Sequence, residues 1–242
     1  MEEALADRFF DFLYLLKSEC GTFVRVVDDA NDEKWKYVQV AHETFYNFIT
    51  SEASANNEFH VSLSESHGEI ALILLRYLSN HDFGSQLTDG SFTGREDGHA
   101  AEVREKFPLL QYAATMWSVH VRQSWGSSEQ INTALKEFLT QGPLLLWIEA
   151  LVTFSQLPAL SRSMEDVLVW TAIRAPIAKI DSDLFEIWAR DISRLCTEFS
   201  KTITEYPNCI HNMLFDLFPS PSLFYDRYKT GVAQCLAMPP LR

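Results

Sequence analysis

The segment from residue 22 to 49 constrains the fold of this 242-residue chain most strongly. Two runs within it, residues 22–27 and 35–41, are rich in β-branched and aromatic residues, which is the composition of β-strands. The polar stretch between them, residues 28–34, is typical of a turn. A helical pattern of apolar residues begins directly after the second run, at residue 42. The segment therefore predicts a β-hairpin that leads straight into a helix.

Side chains alternate between the two faces of a strand, so this hairpin has one face formed by valines. This valine face consists of Val24, Val26, Val38 and Val40. Because its opposite side mixes aromatic and polar residues, we expect the valine face to be the core side of the hairpin. His42 lies at the junction where the second strand ends and the helix begins, which makes it the candidate site residue. A histidine there either caps backbone groups of the helix or has a functional role, and the residues alone leave both interpretations open.

The rest of the chain reads as a succession of helices. Ser66 has the spacing of a capping box with Glu69, so we expect a helix to open there. Residues 144–154 are apolar on nearly every side and predict a central core helix. An apolar stripe from residue 184 to 203 predicts one long helix over residues 181–206, while residues 80–98 predict a mobile surface loop. The fold class that follows is mainly α, an irregular helical bundle or superhelix with a small N-terminal β-hairpin.

The charge and cysteine content of the chain argue against several classes of binding partner. The chain has 33 acidic and 20 basic residues, a net charge of −13, which argues against binding to nucleic acid or to anionic membrane surfaces. Its four cysteines are widely spaced without a C-x-x-C pair, which favours reduced thiols and no metal site. The N-terminus is acidic where a signal peptide would be basic. We therefore expect a cytoplasmic protein whose partners are other proteins.

The motifs that would indicate an enzyme are missing from this sequence. His42 and Glu43 begin the zinc-protease pattern H-E-x-x-H, but Tyr46 stands where the second histidine is needed. There is no G-x-x-x-x-G-K-[ST] phosphate loop, no G-x-G-x-x-G and no G-x-S-x-G nucleophile elbow. The acidic pair Asp181 and Asp183 is explained as favourable charge at a helix N-terminus. We expect no catalytic residues and no enzymatic activity.

The segment from residue 38 to 49 resembles the last strand and helix of the winged-helix subdomain in fungal NACHT-type signal-transduction NTPases, the NOD-like-receptor-like or vegetative-incompatibility family. The residues that carry this resemblance are His42, Glu43, Phe45, Phe48 and Ile49. In that family the histidine reaches the β-phosphate of bound ADP and helps to hold the resting state closed. The resemblance implies that His42 occupies this nucleotide-sensor position, although Ala41 and Glu43 replace the methionine and aspartate of the plant Met-His-Asp motif.

Further matches follow in the family's order. Residues 107–114, with Trp117 and His120, resemble a helix of the region behind the fungal NACHT module, and residues 144–148 fit the same region. Residues 188–191 and 207–210 look like the connector that leads to WD or ankyrin repeats. The resemblance implies three parts: the C-terminal part of a winged-helix subdomain (residues 1–52), a helical domain (53–206) and a proline-punctuated connector (207–242).

The chain lacks the family's phosphate loop and Walker B strand. The resemblance therefore implies no cofactor in this chain itself, with ADP or ATP bound only in a full-length parent. It describes a non-catalytic hinge segment that links nucleotide state to a repeat sensor domain, with the parent's own NTPase and repeat domains as partners. Such a chain is a fragment, a trimmed gene product or a stand-alone remnant that acts in trans. The alternative is a stand-alone helical scaffold that binds a partner protein through an apolar groove.

Overall fold

The computed structural model of the chain describes residues 14, 18–28, 36–79, 99–126, 128–140, 144–206 and 222–223. Within these residues it contains eight α-helices and one two-stranded antiparallel sheet near the N-terminus, which confirms the predicted fold class. The chain divides into two compact units, residues 1–63 and 64–242, and each is described by itself. The division at residues 52 and 206 that the resemblance implies stays a prediction.

The N-terminal unit is built on the predicted hairpin. Strand β1 (Val24–Asp28) pairs antiparallel with β2 (Lys36–Val40), and helix α1 (Glu43–Thr50) follows two residues later. A single turn of 3₁₀-helix (Glu52–Ser54) comes next, where the single hydroxyl proton of Ser54 is shared between the backbone carbonyls of Phe48 in α1 and Ser51. Most of the turn predicted between the strands lies outside the described residues.

The second unit consists of the remaining seven described helices. They are α2 (Leu63–Leu78), α3 (His99–Lys106), α4 (Leu110–Gln123), α5 (Ser128–Thr140), α6 (Leu144–Thr153), α7 (Ala159–Arg174) and α8 (Ser182–Glu205). The predicted opening of a helix at Ser66 is wrong, because α2 begins three residues earlier and Ser66 lies within its first turn. The loop expected over residues 80–98 lies outside the described residues.

The core of this unit is organised around α6, as its apolar sequence predicts. Trp147 of α6 meets Trp117 of α4 and Phe138 of α5, with ring centroids 5.5–5.6 Å apart and edge-to-face geometry. All three rings are essentially inaccessible to solvent. The indole N–H of Trp147 donates to the carbonyl of Ala114 at 2.8 Å, so this buried polar atom is satisfied. Edge-to-face aromatic pairs stabilise beyond the area they bury, which fixes three helices against one another here.

Helix α8 confirms the predicted apolar stripe as core packing against α7. Trp188, Ile192 and Leu195 are buried on this face, whereas the opposite face of α8 is polar and exposed. Asp181 precedes α8 but makes no side-chain capping bond. Its carboxylate instead accepts from the side-chain amide nitrogen of Asn132 on α5 at 2.9 Å, and its backbone N–H donates to the side-chain oxygen Oδ1 of Asn132 at 3.0 Å. The explanation of Asp181 as a helix-terminal charge therefore missed its main partner.

Candidate functional site

His42 is the one site residue that the sequence predicts, and its backbone is held by both neighbouring elements. The preceding residue, Ala41, donates its N–H to the carbonyl of Phe23 at 2.7 Å and closes the hairpin. The carbonyl of His42 accepts from the N–H groups of Phe45 and Tyr46 at 3.1 and 3.2 Å, which starts α1. The imidazole makes no capping hydrogen bond and is exposed. The capping interpretation of His42 is therefore not what the described structure shows.

Helix α1 packs on the side of the hairpin that carries Phe23. The rings of Phe23 and Phe45 stack with centroids 4.3 Å apart and planes inclined by 24°. Because side chains alternate along β1, this is the face opposite to the valine face. In α1, whose eight residues are all described, none is buried. The N-terminal unit thus covers one side of its sheet with a helix that itself stays largely open to solvent.

The valine face is in register across the sheet, with Val24 opposite Val40 and Val26 opposite Val38. Its β1 members are half-buried, but Val38 is 47% and Val40 37% exposed. The expectation that this face is the core side is wrong for β2 in the described structure. Other large apolar side chains of the same unit are also exposed: Phe23, Tyr46, Phe48, Phe59, Val61 and Leu63. Among the residues that the structure describes, the valine face is therefore a paired apolar surface without a complete cover.

The helical unit contains a second cluster of polar side chains, which the sequence did not reveal. His67 on α2 and His120 on α4 face each other with their Nδ1 atoms 2.7 Å apart. The other ring nitrogen of His120, Nε2, lies 2.8 Å from the hydroxyl of Tyr112 on the same helix. His120 is buried, while Tyr112 is 44% exposed. The three side chains form one hydrogen-bonded row from the surface into the contact between α2 and α4, which we call the histidine row.

Two arrangements of protons satisfy this row when both histidines are neutral, because each neutral imidazole carries one N–H. In one, His67 donates from Nδ1 and His120 donates from Nε2 to the Tyr112 oxygen. In the other, His120 donates from Nδ1 and Tyr112 donates its hydroxyl proton to Nε2. Burial lowers the pKa of His67, and burial together with the charge of His67 lowers the pKa of His120. Burial raises the pKa of Tyr112.

Sequence reasoning missed the histidine row for a physical reason. His67 and His120 are 53 residues apart, and a helical pattern shows only which residues share a face of the same helix. The eight-residue spacing of Tyr112 and His120 does place both on one side of α4. That spacing was the only sequence signal for the histidine row. His120 was named from the sequence only as part of the resemblance. Within the described residues, no three or more His, Cys, Asp or Glu side chains converge on a point suited to a metal ion.

Two buried carboxylates have structural partners. Asp166 on α7 accepts from the Ser118 hydroxyl at 3.0 Å and from Arg122 at 3.1 Å, and thereby links α7 to α4. Asp191 on α8 accepts through one oxygen from the hydroxyl of Ser222 and the N–H of Leu223, at 2.9 and 2.8 Å. Both carboxylates are therefore explained by the helices and segments they join, so neither carries an argument for catalysis.

The surface grooves of the helical unit include one of about 540 Å³ and one of about 470 Å³. The first lies between α2 and α5, and the second between the start of α7 and the last turns of α8. Most of the residues that line them are polar or charged: Arg76, Ser79, Glu129, Gln130, Thr133 and Glu137 in the first, and Ser161, Ser200, Lys201, Thr204 and Glu205 in the second. Leucine, proline and alanine side chains also line the two grooves, so the scaffold alternative stays a prediction.

Comparison of the chain with protein-family descriptions, with curated proteins and with solved structures found no match. The class that the structure defines is therefore one of architecture, a mainly helical protein with a small N-terminal sheet. No helix in the part of the chain that the structure describes is both long and apolar enough to cross a membrane.

Proposed function

We propose that this chain is a non-catalytic regulatory segment of a fungal NACHT-type receptor-like protein, and that the valine face docks against the nucleotide-binding module of that protein. The exposure of Val38 and Val40 is the observation that carries this proposal. A paired valine surface on a small sheet is expected to be buried in the functional state, because exposed apolar area is costly in water. The resemblance supplies the occupant, since the hairpin is similar to the end of a winged-helix subdomain.

His42 supports the same proposal. Its backbone is fixed by the hairpin on one side and by α1 on the other, while its imidazole is exposed and makes no capping bond. A side chain at such a junction starts from a fixed backbone position and is still accessible to a ligand. In the docked state, the imidazole would contact the β-phosphate of ADP held by the nucleotide-binding module. Exchange of ADP for ATP would then change the contacts of the hairpin and shift the helical unit behind it.

The affinity of this docking is estimated from the exposed surface of the two β2 valines. Burying a fully exposed valine stabilises by about 1.5–3 kcal/mol. Because Val38 is 47% and Val40 37% exposed, roughly 1 kcal/mol is still available from each. Together they contribute about 2 kcal/mol, which is roughly a 30-fold change in affinity. Replacing them with glutamate would remove this contribution and place two carboxylates in the interface, so the loss should exceed 30-fold.

The proposal is tested by capture from an extract of the cells that naturally express the chain, in the presence of ADP. We expect the immobilised chain to retain a protein that mass spectrometry identifies by a G-x-x-x-x-G-K-[ST] phosphate loop. Val38→Glu/Val40→Glu should lose this protein. The matched control is Ile73→Glu on α2, an equally drastic change at an apolar residue that is 56% exposed in the other unit. Retention of no phosphate-loop protein, or equal loss with Ile73→Glu, would refute the proposed docking.

A second measurement tests the non-catalytic assignment. Titration of the isolated chain with ADP and with ATP, followed by calorimetry, should show no saturable binding, because the sequence carries no phosphate loop. Saturable binding at micromolar concentration would mean that this chain has a nucleotide site of its own. That result would overturn the assignment of His42 to a site completed by another module.

A further inference from the structure

The histidine row joins two helices that lie on opposite sides, in sequence, of residues 80–98. His67 belongs to α2, before that stretch, and His120 belongs to α4, after it. Their Nδ1–Nδ1 distance of 2.7 Å is that of a strong hydrogen bond, which needs one proton between the two nitrogens. Tyr112 holds the far nitrogen of His120 at 2.8 Å. The state of this contact therefore depends on how many protons the two rings carry.

Counting protons gives three states of the pair. With both rings neutral, one Nδ1 donates and the other accepts, so the bond is made. With one added proton, the shared bond and the bond to Tyr112 are both kept, at the cost of one charge in a partly buried contact. With two added protons, each Nδ1 carries a hydrogen, so neither can accept. The bond between the helices is then lost, and two like charges face each other at close range.

The neighbouring turns of the two helices supply no compensating charge. The residues one helical turn away from each histidine are all uncharged: Leu63, Ser64, Ile70 and Ala71 on α2, and Met116, Trp117 and Gln123 on α4, with Ser124 directly after its end. Burial lowers the pKa of both rings, and the charge of His67 lowers the pKa of His120 further. The remaining titratable group of the row, Tyr112, stays neutral throughout the acid range. Protonation of the pair is therefore opposed by burial and by the mutual repulsion of the two rings.

We propose that the histidine row is an acid-sensitive joint between α2 and α4, closed while His67 and His120 share one proton and opened when each ring carries its own. This inference is independent of the proposed docking of the N-terminal unit. It assigns the row a role in holding α2 against α4, under the control of proton concentration.

The direction of the pH effect follows from the pKa values. Both histidines have a pKa below the ordinary value of 6.5 in the folded chain, so below pH 6.5 the unfolded chain binds more protons than the folded one. The stability that the pair contributes is therefore complete above about pH 6.5 and is lost as the pH falls through the lowered values. Within that window, each histidine lowers the folding equilibrium constant by up to about tenfold per pH unit.

Two measurements on the full chain test the joint. In the unsubstituted protein, NMR of ¹³C-labelled histidine should show two coupled rings that titrate below pH 6.5. In His67→Gln, the pKa of His120 should rise, because it loses the repulsion from His67. Denaturant unfolding, followed by tryptophan fluorescence, should show a steeper loss of stability between pH 7.5 and 5.5 in the unsubstituted protein than in His67→Gln/His120→Gln. His60→Gln, at a histidine of the N-terminal unit, is the matched control and should keep the steep dependence.

Four results would overturn the proposal. Titration of His120 at or above pH 6.5, or an unchanged pKa of His120 in His67→Gln, would show that the rings do not share a proton. Equal pH dependence of unfolding in the unsubstituted protein and the double variant would show that the pair does not control the joint. A stoichiometric shift of both ring signals by added Zn²⁺ at pH 7.5, lost in His67→Gln, would mean that the two Nδ1 atoms hold a metal ion instead. The titration of the unsubstituted protein remains decisive if a variant fails to fold.

Discussion

The link between α4 and α7 through Asp166 gives the most specific prediction of stability. Asp166 is 3% exposed. Its carboxylate accepts from Ser118, which is fully buried, and from Arg122, whose side chain is 56% exposed. Removing the carboxylate has different consequences for these two partners. The guanidinium of Arg122 can turn to solvent, whereas the Ser118 hydroxyl is left inside the protein. We therefore expect the cost of losing Asp166 to come mainly from Ser118.

Three variants separate these contributions. Asp166→Asn keeps an acceptor for Ser118 and weakens only the pair with the partly exposed Arg122, so it should cost at most about 1 kcal/mol. Asp166→Ala removes a hydrogen bond to a charged acceptor and leaves a buried hydroxyl unpaired, for a loss of about 3 kcal/mol. Ser118→Ala, which removes the hydroxyl and leaves the Asp166–Arg122 pair, should cost about 1 kcal/mol. The prediction is that Asp166→Ala lowers the free energy of unfolding more than either of the other two variants does.

The double variant Ser118→Ala/Asp166→Ala provides the sharper test. Because it contains no orphaned hydroxyl, it should be less destabilised than the sum of the single variants by about 1–2 kcal/mol. The assay is urea unfolding followed by tryptophan fluorescence, to which Trp117, beside Ser118, is well placed to respond. Strict additivity of the two single variants would show that Ser118 and Asp166 are not coupled. A cost for Asp166→Ala no greater than that for Asp166→Asn would lead to the same conclusion.

Two further predictions concern residues at the junctions between elements. In a full-length parent protein, His42→Ala should raise basal activation, since the resting state would lose a contact to the β-phosphate; unchanged basal signalling would exclude the sensor role. The hydrogen bond from Asn132 chiefly lowers the pKa of Asp181, so its contribution to stability is present above about pH 4 and is lost as the pH falls below that value. Asn132→Ala should therefore lower the free energy of unfolding at pH 7 and make it depend less on pH between pH 4 and 2. An unaltered pH dependence of unfolding in this range would contradict the assignment.

The parts of the fold that depend on local periodicity were predictable from the sequence. The hairpin, α6 and α8 all follow from patterns of apolar residues at spacings of two or between three and four. The apolar run of α6 reaches the centre of the core because it has no polar face to present to water. The opening of α2 was not predictable, because the Ser66–Glu69 spacing also occurs inside a helix, where it has no capping role.

Long-range partners were beyond the reach of the sequence. The valines of β2 have the composition of a core face, but whether a strand face is buried depends on what lies across from it. The pairing of His67 with His120, and that of Asn132 with Asp181, each join helices that are distant in sequence. No periodicity relates such residues. His42 was placed correctly at the start of a helix, while its proposed contact with nucleotide stays a prediction.

The dimensions of α8 have a mechanical consequence. Its 24 residues span about 36 Å at 1.5 Å per residue. Its buried residues are concentrated in the first half, from Phe185 to Leu195, and Ile203 is the one buried residue beyond them. A rotation of about 10° about the first turn would displace the last residue by roughly 6 Å, given that length. Because the last turns of α8 line a groove with the start of α7, and Ile203 there is fully buried, such a rotation would also require this end of the helix to repack.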